Sequence, residues 1–477
     1  MPLERLERWS AILVIAVFAA LALPTIRNPN VIWREADGLM VARAFCAERA
    51  PLWLPRIGER GDSDGVTGME LPVLNWVAGE LSCAGADPLV ASRGLSFLSA
   101  VLAIASLARI ARRSLPPRPA LVATCVLAFS PTAFFLARSA QPDMTAVAFG
   151  LWSLDLLDVA LPPSGPTSWR RFFLSAAAMA FGALVKLPVA VYGLPAAALV
   201  WERRGAAAAR DWRSWLYPPI ALAAPLAWYA WALELQRAGG NAYYNLRTPL
   251  PALVKSWVDP GFYARIYGSH LFDLYAMPVA SGAAVLALVL RCKSVPRWWY
   301  ALLASAVLFF FLGGEVAAWH GYYGLVMVPS IALLAGAAYG HLERRVPPRA
   351  AVAVFATACV VLAGWVVYRT RTWYGPPALA EQYAAAKAAA DGALEKGGRL
   401  AVVSDGDPKV LWYLDRNGWV FPWDAACGWA GEHPAPLVLA VDATRLQAPE
   451  QASAAQALRG CGFQGLYEGS AVQVWRR

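Results

Sequence analysis

The sequence predicts an α-helical polytopic membrane protein with a small extracytoplasmic α/β domain at its C-terminal end. Three observations carry this. Hydrophobic residues are 58% of the 477 and charged residues only 16%, against roughly 25% charged in a soluble domain. Mean hydropathy is +0.43. Apolar runs of membrane-crossing length recur between short arginine clusters until about residue 370, after which strand and helix patterns alternate.

A span needs about 20 apolar residues. Eleven candidates lie near 9–26, 89–109, 119–138, 142–161, 171–187, 188–202, 214–235, 272–291, 298–317, 321–341 and 350–368. The fifth and sixth are short and meet at Lys186-Leu187-Pro188, which reads as a tight turn. The N-terminal run lacks a convincing small-residue cleavage site and many spans follow it, so an uncleaved first helix is expected.

Basic clusters fix the expected orientation. Arg109/Arg112/Arg113, Arg170/Arg171, Arg203/Arg204/Arg210/Arg213, Arg291/Lys293/Arg297 and Arg344/Arg345/Arg349 fall in alternate connections, which the positive-inside rule assigns to the cytoplasm. The N-terminus is then inside and the C-terminus outside. The loop at about 27–88, the loop around 236–271 and everything after Thr370 are extracytoplasmic. The same clustering explains the net charge of +10 and excludes a nucleic-acid reading. Abundant Ala and Arg with scarce Lys suit a GC-rich bacterial genome, hence an inner-membrane protein with a periplasmic C-terminal domain. The 22 Trp and 17 Tyr suit interfacial belts.

Residues 1–370 are thus expected to form the membrane domain and 371–477 the α/β domain. In the latter, 378–396 reads as an amphipathic helix, 399–404 as a strand, 407–416 as a short helix, 436–441 as a strand and 448–459 as a helix. Strands at 466–467 and 471–475 would close the sheet. No phosphate-cradling glycine loop, metal-ligand spacing or other chemistry is visible there. Cys427 and Cys461 are expected to form a disulfide. Cys46 and Cys83 are a second candidate pair, and Cys125 and Cys359 read as small apolar residues within spans.

The polar run Trp33-Arg34-Glu35-Ala36-Asp37 directly follows the first apolar run. Ionisable residues at a membrane face are costly and usually line a cavity. Asp37 reads as a general base or as a helix N-cap. Asp143, after Pro142, reads as a second carboxylate or as a cap. Glu70, in Thr67-Gly-Met-Glu70-Leu-Pro72, reads as a cavity or surface residue. Arg93 needs a partner, either a carboxylate or a lipid phosphate. Lys186 either snorkels or meets a phosphate. His320 could bind a phosphate or a substrate hydroxyl, beside the belt residues Tyr322 and Tyr323. With Arg138, these acids and bases gather on one face of the membrane, which fits a charged lipid head group near a carboxylate base.

Five stretches then resemble the GT-C superfamily of membrane glycosyltransferases, specifically bacterial relatives of protein O-mannosyltransferases and of the lipid A aminoarabinose transferase. They are Trp33-Arg-Glu-Ala-Asp37-Gly with Ala42-Arg43, Thr67-Gly-Met-Glu70-Leu-Pro72, Ser130-Pro131 leading to Arg138 and Gln141-Pro-Asp143, Leu184-Val-Lys186-Leu-Pro188, and His320-Gly-Tyr-Tyr323 followed by Pro329. The resemblance implies a monosaccharide on a polyprenyl-phosphate donor, moved with inversion to a lipid, glycan or protein acceptor. It implies Asp37 as the base, Asp143 as the second acid, and Lys186 and Arg138 on the donor phosphate, with Arg93 and His320 as further phosphate candidates. Glu35, Glu70, Tyr322 and Tyr323 are candidates for substrate binding. The family often carries Gln where Glu35 stands, which favours Asp37. Some superfamily members use a divalent cation; lacking a compelling ligand cluster, this chain is expected to need no metal and no other cofactor. The competing readings are a lipid or glycan transporter or flippase, and a non-catalytic glycan-assembly protein. The former predicts internal repeats and mid-span polar residues that the sequence lacks.

Overall fold

The computed structural model describes residues 3–239, 250–268, 278–290, 292, 295–374, 379–433, 438–445 and 448–477. Arg291 and Lys293, and parts of the expected elements at 272–291, 378–396 and 436–441, lie outside the described residues. The chain divides into two compact units. One holds Met1–Ile26, Arg93–Ala230 and Asn245–Tyr374; the other holds Arg27–Ser92, Trp231–Tyr244 and Gly375–Arg477. The segment after the first helix therefore folds with the C-terminal segment.

The first unit is helical. Each of the eleven apolar segments is helical in its described part, but several are interrupted. Among the described residues, three helices are long and apolar enough to cross a membrane: Pro88–Ser114, Arg297–Trp319 and Pro348–Trp373. A pair bent by 58°, Pro117–Ala128 with Pro131–Ala137, makes a fourth. Pro131 explains that bend, since it cannot continue the preceding helix but suits the first position of the next. At Lys186 the backbone is extended (φ −158°, ψ 109°). It joins the helix Trp169–Val185 to a short 3₁₀ turn, Leu187–Tyr192, and the helix Gly193–Arg204.

Small residues let these helices approach, as membrane packing requires when lipid is as apolar as the side chains. A Cβ on Gly336 would lie 2.5 Å from the Pro119 carbonyl, so the Val328–Glu343 helix meets Pro117–Ala128 backbone to backbone. Asp143–Ala160 packs on Trp169–Val185 through Ser153 and Ser175, whose hydroxyls both bond the Tyr217 hydroxyl at 3.0 and 2.9 Å. At the far end of the Asp143–Ala160 helix, Asp155 and Asp158 are buried. Arg113 bonds both, Arg109 bonds Asp155 and Arg203 bonds Asp158, at 2.5–2.8 Å. Three of the cluster arginines read from the sequence thus pair with acids inside an apolar helix, as buried charges must.

In the second unit, strands β1 (Leu400–Val403), β2 (Gly418–Phe421), β3 (Val438–Asp442), β4 (Gln464–Glu468) and β5 (Val472–Arg476) form one sheet in the order β2-β1-β3-β5-β4. Strands β2, β1 and β3 pair in parallel, and β5 pairs antiparallel with both β3 and β4. Period-2 alternation divides the strand residues between two faces. Leu400, Val402, Val438 and Ala440 pack with Tyr383, Ala386 and Ala390 of the helix Ala380–Ala393. Ala401, Val403, Leu439 and Val441 pack with Ala455, Leu458 and Phe463 on the other face. The short helix expected at 407–416 is Lys409–Tyr413. Strand β2 was not legible in the sequence, because Gly418-Trp-Val-Phe421 follows that helix with one short turn.

Cys46 bonds Cys83 and Cys427 bonds Cys461. The first pair ties the helix Trp33–Ala47 to the helix Val73–Cys83. Gly79 lets the two helices close, since a Cβ there would lie 2.6 Å from the Ala42 carbonyl.

Candidate functional site

In the second unit, Asp37 lies on the helix Trp33–Ala47. That helix begins at Trp33, so Asp37 is in its second turn and the N-cap reading fails. Capping falls to Glu35, at N3, whose Oε2 accepts from the Ile32 backbone N–H at 3.3 Å. Glu35 is thereby drawn to the helix start, which gives it a structural task distinct from that of Asp37.

Asp37 is 6% exposed. Burial pushes its carboxyl up to about 8; Arg34 opposes the rise, while the charges of Glu59, Asp407 and Glu70 add to it. Arg34 precedes Asp37 by three residues and so shares its helix face. Its Nη2 donates to Glu70 Oε1 at 2.7 Å, with both side chains buried. Burial also pushes Glu59 up to about 7. A carboxyl poised near the working pH is suited to proton transfer. Glu59 and Asp407 escaped the sequence reading. Glu59 lies in an irregular loop without periodicity. Asp407 had a usable signal, because it follows β1 at the carboxyl end of a parallel strand, where α/β sheets collect functional groups.

The first unit holds the other candidates. Asp143 begins the helix Asp143–Ala160, and its Oδ2 accepts from Lys186 Nζ at 3.2 Å. Both side chains are buried. The Lys186 ammonium also lies 5.6 Å from the Tyr323 ring centroid. His320 stacks on Tyr322 at 5.2 Å and meets Tyr323 edge-on at 5.9 Å. Asp143, Lys186 and the His320–Tyr323 turn are therefore one neighbourhood.

Arg93 is fully buried and donates to the Ile26 carbonyl at 3.1 Å. Ser96 and Ser99 follow it at three-residue intervals on the same helix. The Ser96 hydroxyl bonds the Gln141 carbonyl at 3.3 Å and the Ser99 hydroxyl meets that of Thr145 at 2.7 Å. This stripe is the face turned toward the Gln141–Asp143 turn. Arg138, at the end of Pro131–Ala137, lies with its guanidinium 4.5 Å from the Trp373 ring centroid.

Two large cavities, of about 420 and 270 Å³, are apolar. The larger is lined by Trp201, Trp215, Tyr217 and Leu222 among others, the smaller by Val122, Leu286 and Leu342 among others. Neither holds a candidate residue, and a lining without a carboxylate or cation offers no acid–base chemistry. Among the described residues, no group of three or more His, Cys, Asp or Glu side chains is arranged to hold a metal ion.

A family model described as "Dolichyl-phosphate-mannose-protein mannosyltransferase" matches residues 70–231. Comparison with curated protein sequences gives no match. Solved structures match over nearly all of this chain. ArnT from Cupriavidus metallidurans bound to undecaprenyl phosphate superposes with a TM-score of 0.66 at 14% identity, covering 98% of this chain and 97% of that one. The Archaeoglobus fulgidus oligosaccharyltransferase, in complex with Zn and sulfate, gives 0.56 at 12% identity over 91% of this chain and 68% of that one. The arabinofuranosyltransferase AftD from Mycobacteria gives 0.58 at 16% identity over 99% of this chain and 40% of that one. The superfamily-level resemblance read from the five sequence stretches agrees with these matches.

Proposed function

We propose that this chain, whose fold is that of the GT-C membrane glycosyltransferases, moves a monosaccharide from a polyprenyl phosphate to an acceptor hydroxyl or amine, with inversion at the anomeric carbon. The observation that carries the reading is Asp37, a buried carboxyl whose proton affinity is set near neutrality by its surroundings. The donor class is supported by the undecaprenyl phosphate bound to the Cupriavidus metallidurans ArnT structure.

In this reading the acceptor oxygen or nitrogen attacks the anomeric carbon while the bond from that carbon to the phosphate oxygen breaks. The electron pair leaves with the polyprenyl phosphate and the acceptor proton passes to Asp37. Such a leaving group needs little chemical help, so the protein supplies positioning and charge stabilisation. Lys186 and Arg138 carry the phosphate charge, with Arg93 and His320 supporting. The donor phosphate takes over the Lys186 ammonium from Asp143. Glu70 acts by holding Arg34, and Tyr322 and Tyr323 border the donor. The acceptor is a lipid, glycan or protein on the periplasmic side of a bacterial inner membrane, with the N-terminus cytoplasmic, and no metal or other cofactor is required.

The test is transfer by the purified protein in lipid nanodiscs, from a radiolabelled sugar on undecaprenyl phosphate to acceptors extracted from the host envelope. Asp37→Asn should abolish transfer while leaving donor binding intact. Full transfer by that variant would sink the assignment. Labelled lipid crossing sealed vesicles without transfer would favour a flippase.

A further inference from the structure

We infer that the C-terminal α/β domain is the seat of the Asp37 helix, and that Met40, Arg43 and Tyr413 are positioning residues that hold this carboxylate in register. The inference rests on the reading of Asp37 as the base. No chemistry is visible in the sequence of that domain, yet three independent attachments run from it to the helix Trp33–Ala47, along the whole length of that helix.

The first attachment is at the entry. The Tyr413 hydroxyl accepts from the Val31 backbone N–H at 2.9 Å and donates to the Pro29 carbonyl at 3.1 Å. Two backbone groups just before the helix are thus satisfied by one phenol. The phenol ring stacks on Tyr383, 4.0 Å between centroids and 17° between planes. Tyr383 belongs to the helix covering the sheet.

The second attachment is in the middle. Met40, one turn after Asp37, is 1% exposed and belongs to the same hydrophobic core as Leu400, Val402, Val438, Ala440, Val472 and Val474. The Asp37 helix therefore buries a side chain in the core of the sheet itself. A residue three positions from the carboxylate cannot shift without moving it.

The third attachment is near the exit. Arg43 Nη1 donates to Asp415 Oδ1 at 2.7 Å, and Nη2 donates to the Arg416 carbonyl at 2.9 Å and to Asn417 Oδ1 at 2.8 Å. Asp415 adopts a left-handed backbone conformation (φ 55°), a strained state that persists only where surroundings enforce it. The same strand entry anchors the neighbouring acid: Gly418 donates to the Gly58 carbonyl and its own carbonyl accepts from Arg60 and Gly61, each at 2.9–3.0 Å, so Glu59 is held between them. Asp407, after β1, adds its charge to the field on Asp37.

An error of about 1 Å in the position of a reacting group can cost on the order of 100-fold in rate. The experiment uses the full-length protein in nanodiscs, with Tyr413→Phe, Met40→Leu, Met40→Ala and Asp407→Asn beside Asp37→Asn. Tyr413→Phe keeps the stacked ring and removes only the two hydrogen bonds. It should lower kcat by roughly ten- to a hundredfold with an unchanged KM for the donor. Met40→Ala should act the same way and Met40→Leu should largely restore the rate, since it refills the volume. The charged groups that bear on Asp37 are Arg34, Glu59, Glu70 and Asp407. Removing the Asp407 charge should move the acid limb of the pH–rate profile to lower pH. If Asp37→Asn is inactive while Tyr413→Phe and Met40→Ala keep wild-type kcat and pH profile, the positioning role is overturned and the transferase reading stands. If Asp37→Asn is active, the base assignment fails and the inference fails with it.

Discussion

Asp37 is where burial and charge compete most visibly. Burial wins over the opposing cation, Arg34, which is itself paired to Glu70. Two pH dependences follow. As a base, Asp37 works only when ionised, so kcat/KM should rise with pH through a limb near 8; Glu59→Gln should shift that limb downward, since the Glu59 charge raises it. For stability the sign is opposite. The folded protein holds this proton more tightly than the unfolded chain, so its stabilising effect is full below about pH 4 and is lost as pH rises through about 8. The thermal midpoint of Asp37→Asn should therefore vary less with pH over that window than that of the wild type. Lys186 is judged differently, through affinity. Lys186→Met removes a charge-assisted contact worth about 1.5–3 kcal/mol, so the donor KM should rise roughly ten- to a hundredfold, whereas Asp143→Asn, which frees the ammonium from its partner, should raise KM far less.

Among the elements, the sequence revealed most where apolar periodicity was long. The helical segments from 9–26 to 350–368 were legible because an apolar run of that length permits little else. Their interruptions were harder. The segment 119–138 was read as one continuous span; Pro131 interrupts it, and nothing in the composition gives its 58° bend, which tertiary packing decides. The Lys186 turn was legible from Pro188. The acids Asp155 and Asp158, in contrast, drew no reading from the sequence, and the arginines paired with them explain why an apolar helix carries them. Arg113→Ala should remove one cation from each acid while Arg109 still pairs with Asp155 and Arg203 with Asp158, costing about 1–3 kcal/mol. That loss would appear as a lower thermal midpoint with little change in donor KM.

For the whole molecule, the least legible fact was which parts fold together. Asp37 was found from its local context, yet the groups that tune it come from residues 34, 59, 70 and 407. A loop with no periodicity and a strand end hundreds of residues later share no sequence signal, because Coulomb's law acts through space and not along the chain. The disulfides express the same closure. Maleimide should label neither Cys46 and Cys83 nor Cys427 and Cys461 in the native, unreduced protein, and labelling of both members of a pair would show that bridge to be absent.

Met40 has a consequence in time as well as in space. The core that receives it includes Val472 and Val474, more than 430 residues further along the chain. A ribosome that has made the Asp37 helix has therefore not yet made the surface against which that helix sets. Over that interval the nascent chain carries its acid unassembled, and the Asp37 helix comes into register only once strand β5 has been made.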